Sequence, residues 1–292
     1  MGEPANGPSA SATDQLNIDR LQRSLRTHSF GRMLRYTPST ASTNADALIY
    51  LQHHAEPASL NGTVILAECQ TAGRGRRGRT WHSPAHGNIY SSVIVVPSLG
   101  AHRPGPWLSW VPLFSALAVA DCLSSHTGLA VSVKWPNDLL IGEKKLGGIL
   151  CEQTSTPNKT MAIVIGIGLN INAALDSFPD ELRTGATSLA AEGGRSFDRV
   201  AILADLYFQL EQRVDRLFLD GPTGMIDEFT QRCSTLGHRV RVTLEEQGVV
   251  QGIAESIGPD GCLCLRALSD AGAALPGSLL EIRSAEVVHL RG

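Results

Sequence analysis

The sequence predicts an α+β protein, a large mixed unit of helices and strands followed by a small β-barrel. Up to about residue 232, segments with helical apolar spacing are interspersed with segments of strand spacing. From Leu236 the grammar changes to short alternating strands divided by Gly, Pro and Asp turns, as in a small closed barrel of about 50 residues. The length, 292 residues, is enough for one large core and one small one. We expect a disordered small-residue leader over 1–12, a main unit over 13–235 and a C-terminal unit over 236–292, with the boundary near 234–238.

The elements follow in order. Residues 14–27 carry Leu16, Ile18, Leu21 and Leu25 at helical spacing, with Thr13 as the N-cap. Residues 33–36 are a short strand. Ser42, Thr43 and Asn44 stand where a helix over 45–53 would begin. Strands are expected at 63–68 and 88–96, and Pro112 suits the first turn of a helix running to about 125. Segments 131–135, 139–141 and 145–151 read as short strands around tight turns, and 161–172 as a long strand. Residues 197–219 form an amphipathic helix with Val200, Leu203, Leu206, Leu210, Val214 and Leu217 on one stripe. A second helix covers 224–232, and barrel strands cover 239–244, 249–257, 262–268 and 279–284.

Composition excludes several classes of protein. The 18% charged and 42% hydrophobic content is that of an ordinary soluble globular chain. A pI near 6.3 argues against a protein dedicated to nucleic acid. No apolar run reaches membrane-spanning length, and the polar start has neither a basic region nor an apolar core, so the chain reads as cytoplasmic. Met1-Gly2 is followed by residues that fit a myristoylation signal poorly. Cysteines 69, 122, 151, 233, 262 and 264 include no CxxC pair and read as structural thiols. Cys262 and Cys264 would share the inner face of a strand. His82 and His86 read as loop residues, and His53-His54 as a solvated helix end.

Three motifs carry chemistry. Gly73–Arg79 sets Arg74, Arg76, Arg77 and Arg79 among glycines, in a chain whose net charge is only −3. Such clustered cations repel unless an anion or water screens them, and glycine lets backbone approach a ligand closely. A cationic flap beside a polyanion explains this pattern; so does a solvated basic loop or an Arg/Gly nucleic-acid contact. Lys134-Trp135-Pro136-Asn137-Asp138 puts a cation, an aromatic, an amide and a carboxylate on one rigid turn. Lys144-Lys145-Leu146-Gly147-Gly148 is a strand edge on which the two lysines face opposite ways, so at most one enters a pocket.

Taken together, Gln70–Trp81, Lys134–Asp138 and Lys145–Leu150 closely resemble the signatures of biotin protein ligases. Ser42-Thr43-Asn44 upstream and Gly166–Asn170 downstream extend the resemblance over about residues 33–290. It implies a catalytic domain related to class II aminoacyl-tRNA synthetases, followed by an SH3-like barrel. It also implies activation of biotin by Mg·ATP to biotinyl-5′-AMP, then transfer to a lysine of the biotin carboxyl carrier domain of an acyl-CoA carboxylase. Attack of a carboxylate on a polyphosphate is opposed by charge, so positioned Arg and Lys side chains are the expected catalytic groups. No protein nucleophile is required.

Residue by residue, the resemblance makes Ser42, Thr43, Asn44 and Gln70 partners of the biotin ureido ring, with Arg74, Gly75, Arg76 and Lys145 also on the biotin side. Lys145 is the first choice for catalysis, reaching the carboxylate and α-phosphate, and Arg76 is the second. Arg77, Arg79, Trp81, Lys134, Asn137, Asp138 and Asn170 fall to ATP and the adenylate, Trp81 as an adenine platform. No residue is a firm metal ligand; Asp138 is the candidate for Mg²⁺. Helix capping is the competing reading of Ser42 and Thr43, and core packing that of Trp81.

Some members of the family carry an N-terminal winged helix and repress genes. Only about 32 residues precede the first strand here, and such a domain needs roughly twice as many, so we expect no DNA binding. The chain is expected to be a monomer or weak homodimer. The competing functions are a lipoate–protein ligase, whose usual loop is of RRxxGGG type, and a nucleic-acid-binding module, which leaves the Trp-Pro-Asn-Asp and Lys-Leu-Gly-Gly motifs unexplained.

Overall fold

The computed structural model describes residues 15–54, 56–97, 106–244, 248–269 and 274–290; the leader and Thr13 lie outside them. Helix α1 (Ile18–Ser24) is shorter than its apolar spacing suggested, because Asn17 accepts from the Arg20 N–H and starts the helix there. Strand β1 (Leu34–Thr37) follows, then α2 (Thr43–Gln52), β2 (Val64–Ala67), β3 (Ile89–Val95) and α3 (Trp110–Thr127). Strands β4 (Val131–Lys134), β5 (Asp138–Ile141), β6 (Lys144–Ser155) and β7 (Met161–Leu169) complete the first sheet.

That sheet has seven strands in the order β1-β2-β3-β7-β6-β5-β4, parallel between β1 and β2 and antiparallel elsewhere. Strand β3 is buried along its whole length, as a central strand covered on both faces must be. On one side α3 packs with α6 (Arg199–Asp220), whose apolar stripe matches the expected helix 197–219. Asp198 caps α6 by accepting from the Val200 and Ala201 N–H groups. At the same end Arg199 and Glu68, each 3% exposed, form a 2.8 Å ion pair that also receives the Leu16 N–H. Buried charge of this kind persists only when both partners are satisfied.

Between β7 and α6 lie two short helices that periodicity did not predict, α4 (Asp180–Arg183) and α5 (Leu189–Gly193). The final helix, α7 (Ile226–Arg232), ends where the first sheet's connection to the second begins.

The second sheet is antiparallel and five-stranded: β8 (Arg239–Leu244), β9 (Gly248–Ile257), β10 (Leu263–Leu268), β11 (Ala274–Ile282) and β12 (Glu286–His289). Its order is β11-β10-β9-β8-β12, and among the described residues the expected closure is not made by a β11–β12 ladder. Strand β12, only four residues long, carries too little alternation to be read from the sequence. Cys262 and Cys264 are buried free thiols, as expected of core alternation.

Two tryptophans pin the sheets together. The Trp110 indole donates to the Pro259 carbonyl at 2.8 Å, and the Trp135 indole to the Gly261 carbonyl at 3.1 Å. Trp135 precedes a cis peptide to Pro136 and is 2% exposed, so the aromatic of the Lys134–Asp138 motif is a packing residue. The core of the second sheet (Val240, Val242, Ala254, Leu263, Leu265, Ile282 and Val287) is continuous with that of the first.

Candidate active site

A cleft of about 440 Å³ lies over the ends of β5, β6 and β7, bordered by the 73–81 loop and by the start of β12. Every site residue expected from the sequence lines it: Ser42, Thr43, Asn44, Gln70, Arg74, Gly75, Arg76, Arg77, Arg79, Trp81, Lys134, Asn137, Asp138, Lys145 and Asn170.

One end is a buried, largely neutral network. Ser42 occupies the N-cap position of α2, but its side chain makes no capping bond, so the capping alternative is not realised there. Instead the Gln70 side-chain carbonyl accepts from the Thr43 N–H at 2.9 Å, supplying the bond that the helix N-terminus needs. The Gln70 amide nitrogen donates to Ser83 at 2.9 Å. Asn44 donates to the Leu150 carbonyl (3.1 Å) and to Glu152 (2.7 Å), and its own carbonyl accepts from Ser92 (2.6 Å). Both Asn44 N–H bonds are therefore committed, and what it offers a ligand is acceptor capacity on its oxygen. That suits a urea N–H.

Glycine makes room for this network. A Cβ on Gly166 would lie 2.1 Å from the Asn44 carbonyl oxygen, and one on Gly168 would lie 2.7 Å from the Trp81 indole nitrogen. The Gly166-Ile-Gly168 pattern on β7 thus seats two site side chains against the sheet. Trp81 lies half-buried there, with its indole N–H lacking a hydrogen-bond partner among the described residues.

The other end is cationic. The flap is a tight hairpin: the Gly75 N–H donates to the Arg79 carbonyl at 2.7 Å, the Trp81 N–H to the Gly73 carbonyl at 2.8 Å, and Arg77 takes left-handed backbone (φ 56°). Arg74 pairs with Glu152 at 2.9 Å. Arg76 donates to the Asn137 side-chain carbonyl (3.3 Å) and to the Ser284 hydroxyl (3.1 Å). Arg77 donates to the Thr243 carbonyl (3.2 Å), and Arg79 pairs with Glu286. Three of the four flap arginines therefore reach the second sheet.

Lys144 and Lys145 diverge, as strand geometry required. Lys144 turns to Glu192 at 3.6 Å, away from the cleft, whereas the Lys145 Nζ lies 2.6 Å from Asp138 and 5.4 Å from the Trp81 ring centroid. Asn137 donates to the Ile149 carbonyl at 2.7 Å, so its amide bridges Arg76 to β6. The Asn170 amide donates to the Thr187 carbonyl at 3.0 Å, holding the connection after β7 against the cleft. Burial lowers the Lys134 pKa from the usual lysine range, with Asp138 opposing and Lys145 adding to the shift. The hydrogen bond from Arg79 is the main reason that the Glu286 carboxyl sits below the ordinary range; burial opposes it, and Arg77 and Lys134 add to it.

Several residues in or beside the cleft were not foreseen. Glu152 lies four residues beyond Gly148 on β6, so strand alternation puts it on the same face, and that count could have exposed it. Glu286 opens the four-residue β12, and Ser284 lies just before it beside the cleft, neither with a sequence signal of a site. Phe178, Leu182 and Gly185 come from the unpredicted α4 region.

His82 contacts the Ser177 carbonyl, in keeping with a loop residue. Among the described residues, Cys122, His126 and Asp205 bring ligand atoms within 4.8 Å of one another, remote from the cleft. Within that cluster Asp205 pairs with Arg26 at 2.6 Å and lies 3.4 Å from His126.

Residues 36–170 match the biotin/lipoate A/B protein ligase family, and residues 235–290 match the biotin protein ligase C terminal domain. The chain belongs to the biotin protein ligase family, on the class II synthetase-like scaffold of its structural neighbours. The biotin–[acetyl-CoA-carboxylase] ligase of Mycobacterium tuberculosis is 36% identical over 291 residues, covering 95% of this chain and 98% of the relative. The bifunctional ligase/repressor BirA of Bacillus spizizenii is 32% identical over 252 residues, covering 86% of this chain and 74% of the relative. The solved biotin protein ligase from Aquifex aeolicus in complex with biotin and ATP superimposes with a TM-score of 0.70 at 25% identity, covering 89% of this chain and 100% of that one. No helix among the described residues is long and apolar enough to cross a membrane.

Proposed function

We propose that this chain is an ATP-dependent biotin ligase that makes biotinyl-5′-AMP and passes the biotinyl group to a lysine of a carboxylase carrier domain. The observation that carries the reading is the joining, in one cleft, of a neutral urea-matching network to a cluster of cations, with Lys145 between them. Residues 13–235 would form the catalytic unit and 236–292 the C-terminal unit.

In the first step a biotin carboxylate oxygen attacks the α-phosphorus, the α–β bridging P–O bond breaks, and pyrophosphate leaves. Ser42, Thr43, Asn44 and Gln70 hold the ureido ring and so fix where the carboxylate lies. Lys145 sits where attacking carboxylate and α-phosphate meet, and its ammonium offsets the charge that builds there. Asp138 keeps that ammonium aimed until substrate arrives. Arg76, Arg77 and Arg79 close over the mixed anhydride and shield it from water. In the second step the acceptor amine attacks the acyl carbon, the acyl C–O bond breaks, and AMP leaves.

A Mg²⁺ ion brought by the triphosphate would be held by Asp138 and would draw charge off the departing pyrophosphate. Asp138 is a carboxylate in the cleft at 26% exposure, which fits an ion that keeps several waters and takes one or two protein oxygens. Trp81 and Asn170 lie on the adenine side, Trp81 offering a ring face and Asn170 holding the 172–187 connection beside it.

The test is pyrophosphate release from Mg·ATP with biotin or lipoate, followed by streptavidin detection of a labelled carrier domain. Release that requires biotin, with label on one lysine, is expected. Release with lipoate in place of biotin would instead assign the chain to the lipoate branch.

A further inference from the structure

Glu286 opens β12 and reaches the cleft from the second sheet. It pairs with Arg79, and its carboxylate lies in the field of Arg77 and Lys134 as well. These are three of the cations that a triphosphate would need. Two residues earlier Ser284 takes Arg76, and across the sheet the Thr243 carbonyl takes Arg77. The flap is thereby tied to the second sheet through the groups it needs for substrate.

We propose that Glu286 is an internal counter-anion of the nucleotide site, which ATP must displace, so that it sets the affinity for ATP and couples nucleotide arrival to release of the flap from the second sheet. The inference rests on the reading of the cleft as a biotin and ATP site. The contrast with Glu152 shows why Glu286 has this role. Glu152 holds Arg74 and also accepts from the buried Asn44, so it is built into the wall. The Arg79–Glu286 pair is open to water, with side chains 64% and 36% exposed, and an exposed pair is weak enough to exchange. A triphosphate brings several charges and many acceptor oxygens to the same cations, so it wins this competition while Glu286 reduces its net gain. Without any anion the cations would repel one another and the flap would splay. Glu286 therefore keeps the flap assembled and weakens ATP at once.

The experiment compares wild type with Glu286→Gln, which removes charge at nearly constant shape, and with Glu286→Asp, which keeps charge but shortens the reach. Binding of a non-hydrolysable ATP analogue with Mg²⁺ is measured by calorimetry, and KM for ATP and for biotin by pyrophosphate release. Glu286→Gln should bind the analogue roughly three- to tenfold more tightly and lower the KM for ATP, with the KM for biotin unchanged. Glu286→Asp should fall between it and wild type. Unchanged or weaker analogue binding in both variants overturns the proposal, since a residue that only docks the sheets would lower kcat or thermal stability without tightening ATP. Biotin-dependent release by wild type tests the underlying reading separately: its absence removes that reading, and analogue binding by neither wild type nor variant removes both.

Discussion

At the Asn44 end of the cleft the wall is buried and largely neutral, its amides and hydroxyls bonded to each other, to backbone and to the Glu152 carboxylate before any ligand arrives; at the Arg79 end the wall is a set of exposed cations held by carboxylates from other elements. The first kind of wall is expensive to disturb, because an unpaired buried amide loses its full hydration. The second is cheap to rearrange, because water already screens it. A ligase that must recognise one small vitamin rigidly, yet open and close around a reactive anhydride, needs both. The Lys145–Asp138 pair stands between them, partly exposed, joining β6, which also carries Glu152, to β5.

The largest effect is expected at that junction. Lys145→Ala should cut adenylate formation by roughly 10²–10³-fold, measured as single-turnover pyrophosphate release, while biotin binding falls much less. A near-normal rate would move the charge stabilisation elsewhere in the cleft. Next comes the rigid end. Gly166→Ala pushes a methyl into the Asn44 oxygen, and should destabilise the protein by about 1–3 kcal/mol and weaken biotin at least tenfold. Calorimetry on the folded variant checks this; unchanged biotin affinity would show that the Asn44 network is not the recognition surface.

At the exchangeable end, Arg76→Gly removes the guanidinium that closes over the anhydride and its bond to Asn137, and should release biotinyl-5′-AMP roughly tenfold faster. Bystander proteins mixed with it should then acquire biotin; labelling that stays confined to the carrier domain would mean that the flap does not retain the intermediate.

The smallest effect concerns pH. Burial, then the charges of Lys134 and His238, hold the His289 pKa down at about 4. The ring takes part in a 3.3 Å contact with the Thr235 hydroxyl, which itself accepts from the Trp135 N–H and can donate to the neutral imidazole. An unfolded histidine titrates near 6.5, so this contribution is complete above about pH 6.5 and is lost as pH falls toward 4. Between pH 7 and 5 wild type should lose about 2–4 °C in Tm more than His289→Gln. Parallel melting curves for the two would contradict that assignment.

The site was more legible in the sequence than the fold that carries it. Gly73–Arg79, Lys134–Asp138 and Lys145–Gly148 are contiguous runs whose chemistry is visible locally, and all of them reach the cleft. Alternation alone separated Lys144 from Lys145. What stayed hidden depends on distant residues. Glu286 acquires meaning only from Arg79, and the pairing of Glu152 only from Arg74, both far away in the chain. The Gln70 side chain, not Ser42, satisfies the start of α2, and no local spacing could show it. Strand β12 and helices α4 and α5 are too short for periodicity to register, and it is packing on a formed core that fixes such segments.

On this reading the cleft both makes and holds biotinyl-5′-AMP. Incubating the protein with biotin and Mg·ATP without acceptor, then removing free small molecules and examining the protein by native mass spectrometry, tests it most directly. About one biotinyl-5′-AMP should be bound per chain, formed only when biotin and ATP are both present, and discharged on adding a carrier domain. Recovery of protein carrying only ATP or biotin, unjoined after prolonged incubation, would contradict it.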